Sequence, residues 1–240
     1  MAALEDSSAG RVIGALVSPV KTFRSIAERP TWGVALVVLL VISTLVGVLA
    51  NKRIDPNDVR QSIQQRMEKS GQPVTPETMD RAMTMTAKFT AVTLWLIPVF
   101  VVIVYLLIAL LFFAAFRFFG GSEISYKASF STAVHGFLPG MVGALLTLPV
   151  ILTHDHLKLK DVQGGNLLAS NAGAFAPDSV GPAVRVLLTS VDFFSIWTLI
   201  LLVIGYKATA KVSTANAATV AVVLWALYVG VKVGIAALFG

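Results

Sequence analysis

The chain has 240 residues, of which 56% are hydrophobic and 13% charged, and its formal net charge is +6. Soluble domains carry about 25% charged residues, so this composition excludes a soluble globular enzyme and a disordered protein, and it indicates an integral membrane protein. The absence of cysteine excludes disulfides, cysteine nucleophiles and Cys-ligated metal centres.

Residues 1–31 form a predicted cytoplasmic segment of amphipathic character. Ser18-Pro19 is typical of a helix N-cap followed by proline at the first helical position. The segment therefore predicts two short helices, 8–17 and 19–28, which lie in the plane of the membrane. The apolar residues that recur there at helical spacing are Ile13, Leu16, Val20, Phe23 and Ala27, with Arg11, Lys21 and Arg24 among them.

The remaining residues, 32–240, form a predicted transmembrane domain. A helix needs about 20 mostly apolar residues to cross a bilayer core, and lipid forces backbone groups to bond within the segment, so helices are expected. The predicted fold is an all-α integral membrane protein with five transmembrane helices. The predicted spans are 32–50, 89–119, 131–153, 191–209 and 217–239.

The polar loop between the first two spans predicts a helical hairpin outside the bilayer, because Asp55-Pro56 and Thr75-Pro76 are typical helix starts. Apolar stripes on its helices are candidate contacts for a partner protein. Clustered methionines could bind Cu(I), but they more often form an adaptable apolar face. The candidate contacts are Val59, Ile63, Met67, Met79 and Met83.

Asp192 and Lys232 are ionisable residues within predicted spans, where such groups are costly and usually face protein or water. They lie at nearly equal distances along the chain from Lys211, which connects the last two spans, so their depths in the membrane nearly match. We therefore predict an ion pair between them. The alternative is that Asp192 caps its helix and Lys232 extends to the membrane interface.

Ala226, Gly230 and Gly234 form a small-residue stripe on the last span. Such stripes let another helix approach closely, so this one predicts a helix-packing interface in the bundle or in a homo-oligomer. Glycine is also common in membrane helices generally, so ordinary composition is the competing interpretation.

Three histidines complete the set of candidate site residues. His154 and His156 are weak metal-ligand candidates, because a closed zinc site wants about four ligands. His135 precedes a glycine- and proline-rich break in the third span, a feature found at transporter substrate sites. Common motifs for hydrolases and nucleotide binding are absent, so we expect neither an enzyme nor a cofactor.

Two segments carry a family resemblance: SPVKTFRSIAERPTWGVAL at 18–36 and VDFFSIWTLILLVIGYKATAKVSTANAA at 191–218. With the five-span layout, they resemble the Yip family of multi-span membrane proteins, in its compact bacterial branch. The resemblance implies a five-helix bundle with a cytoplasmic N-terminus. Bacterial members are often encoded beside ABC-type exporters, which implies an accessory subunit.

These observations predict a multi-pass protein of the cell inner (plasma) membrane that acts as a non-enzymatic scaffold or accessory subunit of an export complex. Its expected partners are the lipid bilayer and other membrane proteins, and the charge gives no support for a nucleic-acid partner. Denser basic residues in the short segments favour a cytoplasmic N-terminus. The alternative function is a small transporter or channel that uses Asp192, Lys232 and His135.

Overall fold

The fold is built from helices, and the computed structural model describes residues 7–177 and 179–239, in which no strand occurs. The predicted all-α class is therefore confirmed. A π-helical turn, Ala115–Phe119, directly continues the long helix Pro76–Ala114. The helices are α1 Ser8–Val17, α2 Pro19–Glu28, α3 Gly33–Lys52, α4 Pro56–Lys69, α5 Pro76–Ala114, α6 Tyr126–Gly136, α7 Leu138–Thr153, α8 Leu159–Gly164, α9 Pro182–Ser190, α10 Phe193–Thr209 and α11 Thr214–Phe239.

Four helical segments are long and apolar enough to cross a membrane: Gly33–Lys52, Pro76–Phe119, Tyr126–Thr153 and Thr214–Leu238. The fourth predicted span, 191–209, corresponds to α10, which has 17 residues and is shorter than these four. It is nevertheless the centre of the bundle, since α2, α6, α7 and α11 all pack against it. That α10 crosses the membrane as a span stays a prediction, because about 17 residues is the lower limit for crossing a bilayer core.

The predicted interruption of the third span occurs at Phe137, between α6 and α7. The preceding glycine lets α10 approach closely, because a Cβ built on Gly136 would lie 2.5 Å from the Leu202 side chain. Gly205 of α10 lets α6 and α2 approach closely, since a Cβ built on it would lie 2.6 Å from Thr132 and 2.9 Å from Phe23. Close packing of α6 against α10 therefore depends on these two glycines.

The two N-terminal helices pack onto the bundle. Phe23 and Ile26 of α2 are fully buried and form a cluster with Leu201 of α10. The predicted stripe is thus divided: Phe23 faces protein, whereas Ile13 and Val20 are exposed. The turn at Ser18 separates α1 from α2, so residues of the two helices do not share one continuous helical face.

Arg11 ties this N-terminal pair to the first span. Its buried guanidinium donates hydrogen bonds to the carbonyl of Arg29 at 2.7 Å, to Thr31 Oγ1 at 2.9 Å and to Ser25 Oγ at 2.7 Å. These acceptors lie in the last turn of α2 and in the connection to α3. One side chain of α1 therefore holds three successive segments together.

The predicted hairpin is present as α4 and the first part of α5. Asp55 caps α4, and a reciprocal pair of bonds between Thr75 and Thr78 caps α5. The 39-residue α5 is about 58 Å long, at about 1.5 Å per residue. It exceeds the bilayer core of about 30 Å, which supports a hairpin that stands outside the membrane.

The candidate partner contacts of this hairpin face each other. Ile63, Met67 and Met79 are buried in one cluster, and Val59 and Met83 pack against it partly buried. These side chains are therefore used within the hairpin, and a partner contact through them stays a prediction. Two short polar helices must bury their apolar stripes against one another to form a hairpin, and this packing uses those side chains.

The packing of α2 predicts a selective loss of stability when Phe23 is truncated. Phe23→Ala should lower the free energy of unfolding by about 3 kcal/mol or more, because it removes a fully buried ring. The matched control Val20→Ala, on the exposed side of α2, should stay within about 0.5 kcal/mol. Denaturant unfolding in detergent micelles, followed by circular dichroism, measures both. Equal losses in the two variants would contradict the packing.

Candidate functional site

The largest concentration of buried polar side chains lies between α6 and α10. Ser129 Oγ donates to the carbonyl of Ala109 on α5 at 2.7 Å and lies 3.0 Å from the hydroxyl of Tyr206. The Tyr206 hydroxyl also donates to the carbonyl of Ser129 at 3.1 Å, and its ring stacks on Phe112 with centroids 4.3 Å apart. We call this set, together with Thr132 and Thr209, the polar seam.

The second part of the polar seam lies one helical turn further along. Thr132 Oγ1 lies 3.0 Å from Thr209 Oγ1, and both hydroxyls also bond carbonyls of their own helices. Ser129, Thr132 and Tyr206 are fully buried. Each hydroxyl has an acceptor inside the protein, so the arrangement joins three helices.

The polar seam was not predicted from the sequence. The available signal was the group of hydroxyl residues at the start of the third span, together with a tyrosine near the end of the fourth. Serine, threonine and tyrosine in membrane helices often bond across helices. The partners could not be assigned, because Ser129 and Tyr206 are 77 residues apart in the chain.

His135 lies at the end of α6, just before the break at Phe137, and is 1% exposed. Its Nδ1 is 2.8 Å from the carbonyl of Ser131, one turn earlier, so Nδ1 carries the proton of this bond. The Arg11 guanidinium is near enough to act on the ring electrostatically. His135 is thus part of the interior that the N-terminal helices close.

Asp192 caps α10. Its carboxylate accepts from the backbone N–H of Phe194 at 2.8 Å and of Ser195 at 3.2 Å, and from the Ser195 hydroxyl. Asp192 therefore caps its helix, as the alternative interpretation of the sequence had it. The positive end of the α10 dipole stabilises the carboxylate there.

Lys232 has a different partner. Its Nζ lies 3.4 Å from Ser190 Oγ and 5.3 Å from the centre of the Tyr228 ring. Ser190 precedes Asp192 by two residues, so the two ionisable groups do lie at the same end of the bundle. The structure nevertheless forms no Asp192–Lys232 salt bridge among its described residues, because the carboxylate is already used by the N-cap.

The small-residue stripe faces outward. Ala226 and Gly230 are exposed, and a Cβ built on Gly230 or Gly234 would meet no heavy atom within 4 Å among the described residues. A shallow apolar groove follows this face. It is lined by Val223, Ala226, Leu227, Gly230 and Val231.

The histidines of the loop after α7 are exposed. His154 Nδ1 bonds the carbonyl of Val150 at 2.9 Å, at the end of α7. Within the described ranges there is no group of three or more His, Cys, Asp or Glu residues that could hold a metal ion. His156 is exposed on the same loop.

That loop instead contacts the end of the first span. Leu157 pairs with Ile54, donating to the carbonyl of Arg53 at 2.6 Å and accepting from Asp55 N–H at 3.0 Å. Arg53 also forms an exposed ion pair with Asp155 at 3.5 Å. The loop therefore fixes the base of the α4–α5 hairpin to the bundle.

This geometry predicts that the effects of charge removal at Asp192 and Lys232 add. Asp192→Asn should be nearly neutral, since asparagine caps a helix about as well as aspartate. The free energies of unfolding of Asp192→Asn, Lys232→Met and the double variant, measured in detergent, should add within about 0.5 kcal/mol. A coupling of about 1 kcal/mol or more between the two substitutions would indicate a direct ion pair and contradict this geometry.

The comparisons with known proteins agree with this architecture. The family model described as the Yip1 domain matches residues 13–235, which is nearly the whole chain and includes both segments that carry the resemblance. No curated protein and no solved structure is significantly similar to the chain. The match spans α2 to α10 completely, together with half of α1 and most of α11. The chain therefore belongs to the Yip1-domain family and is a multi-span membrane protein.

Proposed function

We propose that this protein is a non-enzymatic scaffold or accessory subunit of a membrane transport complex, with an ABC-type exporter as the partner that the bacterial branch of the family suggests. The observation that carries the proposal is the open small-residue face of α11. Among the described residues, and apart from the neighbouring backbone of α11 itself, no side chain or backbone atom lies within 4 Å of a Cβ built on Gly230 or Gly234 of this face.

Three glycines inside the bundle differ from the glycines of this face. Gly136, Gly143 and Gly205 sit where neighbouring side chains would meet an added Cβ at 3.0 Å or less. Gly230 and Gly234 have open space instead. Small residues in membrane helices allow close backbone approach, and without a partner they only weaken lipid packing. A second transmembrane helix is the occupant that fits this surface.

The interior supports the same role. The hydroxyls of the polar seam are bonded to one another or to carbonyls, and Asp192 is used as a helix cap. Each of the three residues of the transporter alternative has a local partner among the described residues: Asp192 caps α10, Lys232 Nζ lies near Ser190 Oγ, and His135 bonds the carbonyl of Ser131.

The proposed topology has five spans, with α10 as the short fourth span and the N-terminus in the cytoplasm of an inner-membrane protein. Support for α10 comes from its central place and its apolar sequence. Four helices pack against it, and its remaining side, with Phe193, Ile196 and Ile200, is apolar and exposed. The α1–α2 pair lies at the cytoplasmic interface in this arrangement.

Affinity purification from native membranes in mild detergent tests the proposal. The tagged chain should retain a stoichiometric transport subunit, identified by mass spectrometry, and Gly230→Leu should release it by filling the open face. Gly140→Leu is the matched control, because Gly140 is also exposed and faces open space on α7. Both variants should unfold at the same temperature as the parent.

Reconstitution of the purified chain in liposomes separates the alternative function. The proposal expects no ion or solute flux from the chain alone. Flux that is lost in His135→Ala and Lys232→Met, together with purification free of any partner, would contradict the accessory role and favour a transporter.

A further inference from the structure

The turn between α1 and α2 presents a fixed apolar surface. Ile13 is 66% exposed, Val17 is 72% exposed and Val20 is 51% exposed. They surround the turn at Ser18, where the two helices meet. Three large aliphatic side chains exposed near one turn are unfavourable in water. We call this the tip surface.

The tip surface cannot be hidden by turning the helices inward. The opposite side of α2 is already fixed to α10 through Phe23 and Ile26, and Arg11 bonds α1 to the connection before α3. Thr22 packs closely on Gly14 of α1, which holds the two helices together. Exposure of the tip surface is therefore a property of the packed bundle.

Basic side chains border the tip surface on α2. Lys21 follows Val20 directly, and Arg24 lies one turn further on the same exposed side. The exposed acid Glu28 lies at the far end of the helix, next to the exposed Arg29. Lys21 and Arg24 thus place two basic side chains in the half of α2 nearest the tip surface. Aliphatic residues beside Lys and Arg are typical of helices that lie at a phospholipid interface.

We propose that the tip surface inserts at the boundary between headgroups and acyl chains, where Lys21 and Arg24 bind the phosphates of anionic phospholipids. The occupant is a bilayer leaflet, because the tip surface is attached to helices that cross the same bilayer. Arginine and lysine both bind phosphate oxygens, and an anionic leaflet attracts cations near its surface. This site is independent of the scaffold role and adds a lipid preference to it.

Depth measurement by spin labelling tests the insertion. The chain has no cysteine, so Val17→Cys and Val20→Cys each give one labelling site without background. Gln65→Cys, exposed on the hairpin helix α4, is the control. In liposomes of phosphatidylcholine and phosphatidylglycerol, labels at 17 and 20 should relax with oxygen and be shielded from a water-soluble nickel complex. Nickel access equal to that at residue 65 would overturn the insertion.

Native mass spectrometry of protein released from the same mixed bilayer tests the lipid preference. The parent should retain several-fold more phosphatidylglycerol than phosphatidylcholine. Lys21→Gln/Arg24→Gln should lose this enrichment, whereas Arg60→Gln/Arg66→Gln, which removes the same charge from the exposed side of α4, should keep it. Equal retention in both double variants, or no enrichment in the parent, would overturn the headgroup site. A lost enrichment with a preserved transport partner shows that the two sites are separate.

Discussion

The architecture depends on one constraint, the close approach of α6 to α10. Gly136 and Gly205 remove the side chains that would hold the helices apart, and the bonds of Ser129 and Tyr206 satisfy the polar groups that come together there. In a bilayer no water is available to replace such bonds, so the seam must close completely. The N-terminal helices and α11 then pack against a centre that is already formed.

Because the centre of the bundle is closed, the candidate functional surfaces lie on its outside. The buried hydroxyls and Asp192 are used for structure, and the outward features are the open face of α11 and the tip surface of α1 and α2. The open face of α11 is apolar and shaped for a helix, whereas the tip surface is apolar with a basic border. Both are consistent with a Yip1-domain protein that acts by holding other components of the membrane.

Local signals predicted much of the fold. Apolar length, caps such as Asp55 and Thr75, and the break near Gly136 are written in adjacent residues, and these elements are present. Contacts between distant residues were not predictable in the same way. The Ser129–Tyr206 bond and the packing of Phe23 on α10 join segments far apart in the chain. The partner of Lys232 was missed because the N-cap of α10 uses the charge of Asp192.

In-membrane photocrosslinking from position 230 tests the proposed partner contact at the open small-residue face of α11 most directly. A photoreactive residue in place of Gly230 should form one covalent adduct with a subunit of a transport complex in native membranes. The same residue in place of Ile103, an exposed side chain of α5, should capture lipid. Adducts with lipid alone at position 230, or the same products at both positions, would contradict the scaffold account.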